Sequence, residues 1–292
     1  MRPATKGIII TIASAFIYGI TPIMVRMTYD GGANGVTMTF LRALLCMPVF
    51  IALLAYMRVP FAVSRGQCRD LAIIVGIGVA STTLLMYVSY SYIPVGMATT
   101  LHFIYPVLVS ASCVIFYRER LGAAMCAALA LSAIGIFMTA GGVTLSGSAV
   151  GVGIALLSGC TYSFYLVRLN RSELAGMHPL KLSFCSCVVV ALYSGIYGAF
   201  SGTLTFDLTA IAWLYSFIVS ISVSIGAVTM LQQGVKLCGA PAASILSTFE
   251  PITSVALGVI VLGELLTLAE IAGGLCIIAS VAIVTISSPR KT

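Results

Sequence analysis

The 292-residue chain is 60% apolar and only 8% charged, with a mean hydropathy of +1.12. A soluble domain devotes roughly a quarter of its residues to charge in order to coat its surface, so this composition excludes one. The net charge of +7 is not gathered on a basic folded face, which argues against a nucleic-acid partner. About 20 apolar residues carry a helix across a bilayer core of about 30 Å. The chain reads as an all-α integral membrane protein.

Ten apolar runs, divided by turn-forming and charged residues, predict ten transmembrane helices. They lie at 7–28, 34–57, 70–92, 95–117, 121–140, 149–168, 179–200, 208–235, 239–262 and 266–287. The first follows Arg2 and Lys6 and contains Ala13-Ser14-Ala15, which looks like a signal-peptide cleavage site. Its apolar character continues to Val25, so it reads as an uncleaved span. Tyr18 shares a face with Thr21 and Pro22, because residues three and four apart stack on a helix. The second span carries Arg42, the only guanidinium set so deep in a run. In the third, Tyr87 and Tyr90 share a face. Gly76-Ile77-Gly78 lacks the strand–turn–helix context of a nucleotide loop and reads as a close-packing surface. Ile93-Pro94 divides the third span from the fourth, where His102, Tyr105 and Pro106 line up. The sixth presents Tyr162 with Tyr165, the eighth Gln232, and the ninth Ser247, Glu250 and Pro251. The nine cysteines form no CxxC pair and have no histidine cluster beside them. They read as small buried hydrophobes, not as metal or redox groups.

Charge placement sets the orientation. With the N-terminus inside, thirteen of the fifteen lysines and arginines fall on inner segments. The other two, Arg26 and Arg42, lie within spans, and the outer loops have none. Short loops rich in Lys and Arg stay cytoplasmic, so both termini are expected in the cytoplasm.

The chain also repeats itself. Residues 94–139 align without a gap onto 239–284, pairing Ala98 with Ala243, Pro106 with Pro251 and Glu119 with Glu264. Nearer the N-terminus, Gly7, Ser14 and Tyr18 pair with Gly151, Ser158 and Tyr162. Two halves follow, 1–145 and 146–292, each of five spans. Five is odd, so the second copy enters the membrane upside down, an architecture that recurs in secondary transporters with the site between the halves. Phe40-Leu41-Arg42 and the repeated Pro106…Glu119-Arg120-Leu121 and Pro251…Glu264-Leu265-Leu266 resemble the drug/metabolite transporter superfamily, in particular its ten-span EamA branch. The resemblance implies a helical bundle around a central cavity that carries small metabolites such as amino acids. Ser186 stands where the first copy has Arg42, which argues against a symmetric role for the arginine.

A polar group in hydrocarbon costs several kcal/mol unless it pairs or faces a cavity. Tyr18, Arg42, Tyr87, His102, Tyr105, Tyr162, Tyr165, Gln232, Ser247 and Glu250 are therefore the candidate substrate-binding residues, with Pro22, Pro106 and Pro251 kinking their helices. Glu250, the only carboxylate near the middle of a span, could pair with Arg42, clamp a substrate with it, or alternate between the two. His102 reads as either a hydrogen-bonded neutral ring or a proton carrier. The function expected is secondary transport by alternating access, with export as the favoured direction and proton coupling left open. No cofactor is expected, the partners are the bilayer and a small-molecule substrate, and a monomer should suffice. A non-transporting protein is the alternative: an enzyme, a receptor or a channel subunit. Against the enzyme stands the lack of a GxSxG or HExxH motif, and against the channel the inverted repeat.

Overall fold

A computed structural model describes residues 3–139, 148–262 and 267–287 of the chain. Its helices fall on the ten expected spans. Eight spans are long and apolar enough to cross a bilayer, among them Thr5–Asp30, Pro179–Ser201 and Ala210–Cys238. The fifth, Ala123–Thr139, is shorter, and the ninth consists of Ala240–Leu246 and Phe249–Leu262. Phe116, Phe200, Ile211 and Leu275 point outward along these helices, a surface suited to lipid and not to water. The protein is a multi-pass helical membrane protein. The boundary expected between 145 and 146 lies outside the described residues.

Polar side chains begin the helices where the apolar runs begin. Asn34 accepts from the Thr37 amide, Ser64 and Gln67 form a capping box, and Thr209 accepts from the Ala212 amide. Loops 31–34 and 202–209 meet on one face, where Asn34 donates to the Thr203 carbonyl at 2.7 Å. Segments 57–64, 118–122 and 170–178 meet on the opposite face, which is the basic one. There Ser64 donates to Glu173 at 3.0 Å, Lys181 to the Ala62 carbonyl, and Lys236 to the Met177 carbonyl at 2.7 Å. Arg171 pairs with Glu119 and lies 4.0 Å from the Tyr117 ring centroid.

The packing displays the inversion. The first span lies against the eighth and ninth, and the sixth against the third and fourth. The second packs on the seventh and the fifth on the tenth. Ser14 donates to the Ala227 carbonyl at 2.7 Å, and their repeat mates Ser158 and Thr82 meet as well, at 3.4 Å.

Interruptions recur at matching depths. The third span contains a π-helical stretch, Leu71–Ala80, and the eighth contains another, Ser220–Ala227. Such stretches are rare and concentrate at functional sites. The fourth span stops at His102 and resumes at Tyr105; the ninth stops at Leu246 and resumes at Phe249. Pro106 and Pro251 thus sit in the first turn of a new helix, where a missing N–H costs little. The expected kinks there are complete breaks. Pro22 remains inside a continuous helix, Pro3–Asp30. The second span also breaks, at Leu45-Cys46 ahead of Pro48, whereas the seventh runs unbroken from Pro179 to Ser201.

Candidate functional site

A cleft with about 750 Å³ of empty space opens between the two halves. Tyr18, Pro22, Arg42, Tyr87, His102, Tyr105, Tyr162, Ser247 and Glu250 line it, as do Thr21, Thr82, Thr83, Met86 and Tyr90. Both π-helical stretches lead into it. One contains Val79 and is followed by Thr82 and Thr83, and the other ends beside Val228. The lining runs to Tyr90, the last residues of the third span, and so reaches toward the face whose loops 31–34, 90–94 and 202–209 carry no lysine or arginine.

Two close approaches shape the walls. A Cβ on Gly159 would sit 2.7 Å from the His102 carbonyl, so only glycine lets the sixth span close on the break in the fourth. A Cβ on Gly19 would meet the Glu250 carbonyl, also at 2.7 Å, where the first span closes on the ninth. Each closes a span of one half on the broken span of the other, at positions that are not repeat mates, since Gly19 pairs with Ser163 and Gly159 with Ala15.

Arg42 is 6% exposed. Its Nη2 donates to Thr83 at 3.0 Å, its guanidinium lies 5.9 Å from the Tyr87 centroid, and its Nε has no partner. Ser220 and Ser224, from the π-helical stretch of the eighth span, converge on its carbonyl at 2.6 and 3.2 Å. No nitrogen–oxygen contact within 4.0 Å joins Arg42 to Glu250 among the described residues, where the ion pairs are Arg69–Asp70 and Arg171–Glu119. The Glu250 carboxylate meets no hydrogen-bond donor among those residues either. Both ionisable groups enter the cleft without pairing with each other. An isolated buried charge is expensive and calls for a partner.

An aromatic wall completes the site. The His102 ring lies 5.2 Å from Tyr105 and 5.3 Å from Tyr162, and those two tyrosines meet edge to face at 4.8 Å. Such faces suit apolar groups and cations alike.

Two expected site residues do not line the cleft. Gln232 is fully buried one turn beyond Val228, and Tyr165 one turn beyond Tyr162. They bond each other at 2.9 Å, and Ser183 donates to the other end of Gln232 at 2.8 Å. Mutual satisfaction removes the reason for either to face a cavity. They form the floor, on the side of the basic face. Thr21 stands on the face it was expected to share with Tyr18, whereas the hydroxyls of Thr82 and Thr83 had no signal of their own, because threonine is unremarkable in a membrane helix. The second span was not expected to contribute a wall beyond Arg42 itself, and Pro48 was the signal of its break.

The cysteines are free. Cys46, Cys113 and Cys187 are buried, but Cys68, Cys126 and Cys160 are exposed, so burial does not explain them all.

Residues 5–141 and 149–286 each match the family model described as the EamA-like transporter family. An uncharacterized inner membrane transporter of Salmonella typhimurium is 28% identical over 239 residues, covering 78% of this chain and 76% of its own length. An uncharacterized transporter of Synechocystis is 27% identical over 207 residues, covering 68% of this chain and 61% of its own. One crystal structure superposes with a TM-score of 0.79 at 20% identity, over 97% of this chain and 99% of its own, a likeness of fold.

Proposed function

The chain belongs to the EamA-like transporter family, and on that premise we propose that it exports small amphipathic metabolites of the amino-acid type across the cytoplasmic membrane. The observation that carries this reading is the pair of unjoined opposite charges in one cleft, Arg42 and Glu250. A zwitterion bridges them, its carboxylate toward the Arg42 guanidinium and its ammonium toward Glu250. Its side chain then packs on the wall of His102, Tyr105 and Tyr162. Binding energy comes from giving two unjoined ionisable groups, one buried and one half-buried, a charge-assisted hydrogen bond each.

Both termini are placed in the cytoplasm, because the basic face then lies inside. The cleft opens outward in this state and is floored by Gln232 and Tyr165. Alternating access moves the opening to the other side, and one molecule contains both halves that this needs. Glu250 is the group suited to couple a proton to transport, since no protein donor holds its charge.

Counterflow into proteoliposomes tests the reading. Vesicles loaded with unlabelled L-phenylalanine or L-leucine should draw in the labelled amino acid faster than empty vesicles do. The N-acetyl and ester derivatives, each lacking one charge, should not drive exchange. Absence of exchange across a full amino-acid panel, with protein that is folded and oriented, would overturn the assignment.

A further inference from the structure

The hydrogen bonding around His102 fixes which ring nitrogen faces the cleft. Its Nδ1 lies 2.8 Å from Oγ of Ser158, a fully buried residue of the sixth span. A serine hydroxyl has one proton to give. Of its three outlets, the Ala155 carbonyl at 2.6 Å is nearer than Nδ1 itself at 2.8 Å and the Met86 sulfur at 3.8 Å. With the proton directed to the carbonyl, Oγ offers His102 a lone pair, and Nδ1 must be the N–H. In the neutral ring Nε2 is then an acceptor. It lies on the edge away from Ser158, no donor among the described residues reaches it, and the residue lines the cleft.

We propose that Ser158 holds His102 in its Nδ1–H form, so that Nε2 and the Glu250 carboxylate make a wall of acceptors that selects a substrate bearing several N–H donors. Resting on the transporter reading of the cleft, the proposal deepens it: the ammonium is the selected group. His102 and Glu250 come from the broken fourth and ninth spans, one from each repeat. An ammonium has three donors and can satisfy both at once. A hydroxyl in its place has one and leaves an acceptor bare. Ser158 acts through His102 and is a positioning residue; its repeat mate Ser14 spends its proton on the Ala227 carbonyl and orients no ring.

The chain has two histidines, which makes nitrogen NMR of the whole protein direct. In protein labelled with ¹⁵N-histidine, a His178→Gln variant leaves the signal of His102 alone. The expected spectrum at neutral pH, without substrate, is that of the Nδ1–H tautomer. Ser158→Ala should move the population toward Nε2–H, and Ser158→Thr, which keeps a hydroxyl, should restore it. In counterflow, L-phenylalanine should be preferred over its 2-hydroxy analogue 3-phenyllactate, and Ser158→Ala should erode that preference on the order of tenfold. An Nε2–H tautomer in the unsubstituted protein overturns the proposal even if transport is normal. An Nδ1–H tautomer with no amino-acid exchange would keep the tautomer and sink the transport reading instead. Equal transport of phenylalanine and phenyllactate overturns the ammonium selectivity.

Discussion

Buried Arg42 and half-buried Glu250 share one cleft, yet neither satisfies the other. The arginine is anchored by Thr83 and keeps a buried Nε without a partner; the glutamate meets no donor among the described residues. A structural ion pair predicts that losing one partner costs about 3–5 kcal/mol and that losing both restores stability. Here the two changes should be additive. In a cycle of Arg42→Gln, Glu250→Gln and the double variant, followed by thermal or denaturant unfolding, the coupling energy should fall within about 0.5 kcal/mol of zero. Glu250→Gln alone should leave stability nearly unchanged and abolish exchange of zwitterions. A coupling of several kcal/mol would instead reveal a structural pair. Residue type and helical face made Arg42, Glu250, His102 and the tyrosines of the cleft legible in the sequence. Depth was not legible. Tyr165 shares a face with Tyr162, but a step of one turn carries it from the cleft wall into the floor, and only the position of Ser183 on another helix decides that Gln232 is satisfied there.

At the level of elements, the repeated segment anticipated the paired interruptions of the fourth and ninth spans, since the prolines recur with it. The π-helical stretches had no such marker. The stretch in the eighth span brings Ser220 and Ser224 onto the Arg42 carbonyl across the helix interface. Arg42 lies near the end of Gly35–Leu44, ahead of the break at Leu45-Cys46, where a carbonyl loses the amide four residues on. The two serine hydroxyls supply its oxygen donors, beside the weaker Cys46 thiol at 3.5 Å. Replacing both by alanine removes those donors from a buried acceptor, for an expected loss of about 1–3 kcal/mol. The apparent melting temperature of Ser220→Ala with Ser224→Ala should drop accordingly in a thermal-shift assay. The equivalent pair of changes at exposed Ser91 and Ser201 should have little effect. Equal stability of the core double variant and the parent would show that the hydroxyls do not hold the break.

For the whole molecule, the two offsets of the repeat turn the floor of the cleft into a statement about the other conformation. Gln232 and Tyr165, which bond to each other below the cleft, have Tyr87 and Thr21 as their mates in the first repeat. Those mates line the open side. An inverted repeat gains its second state when the halves exchange conformations, so Tyr87 and Thr21 should close the outer side as Gln232 and Tyr165 part. Tyr165→Phe keeps the ring and deletes the hydroxyl that Gln232 bonds. Loss of one net hydrogen bond, roughly 0.5–1.5 kcal/mol, weakens only the state in which the floor is closed. The inward-open population should therefore rise by up to about tenfold. Ser244, fully buried one turn below Ser247 on the basic side, is the place to read this. In inside-out vesicles, with the other cysteines removed, Ser244→Cys should react with a water-soluble maleimide slowly in the parent and up to about tenfold faster beside Tyr165→Phe. Exposed Cys68 on the same face, kept in a separate variant, controls for sidedness: it should react in inside-out vesicles and not in intact cells. Reaction of Cys68 from outside intact cells would reverse the orientation. An unchanged rate at Ser244→Cys would mean that the Gln232–Tyr165 layer is part of the core and not a gate.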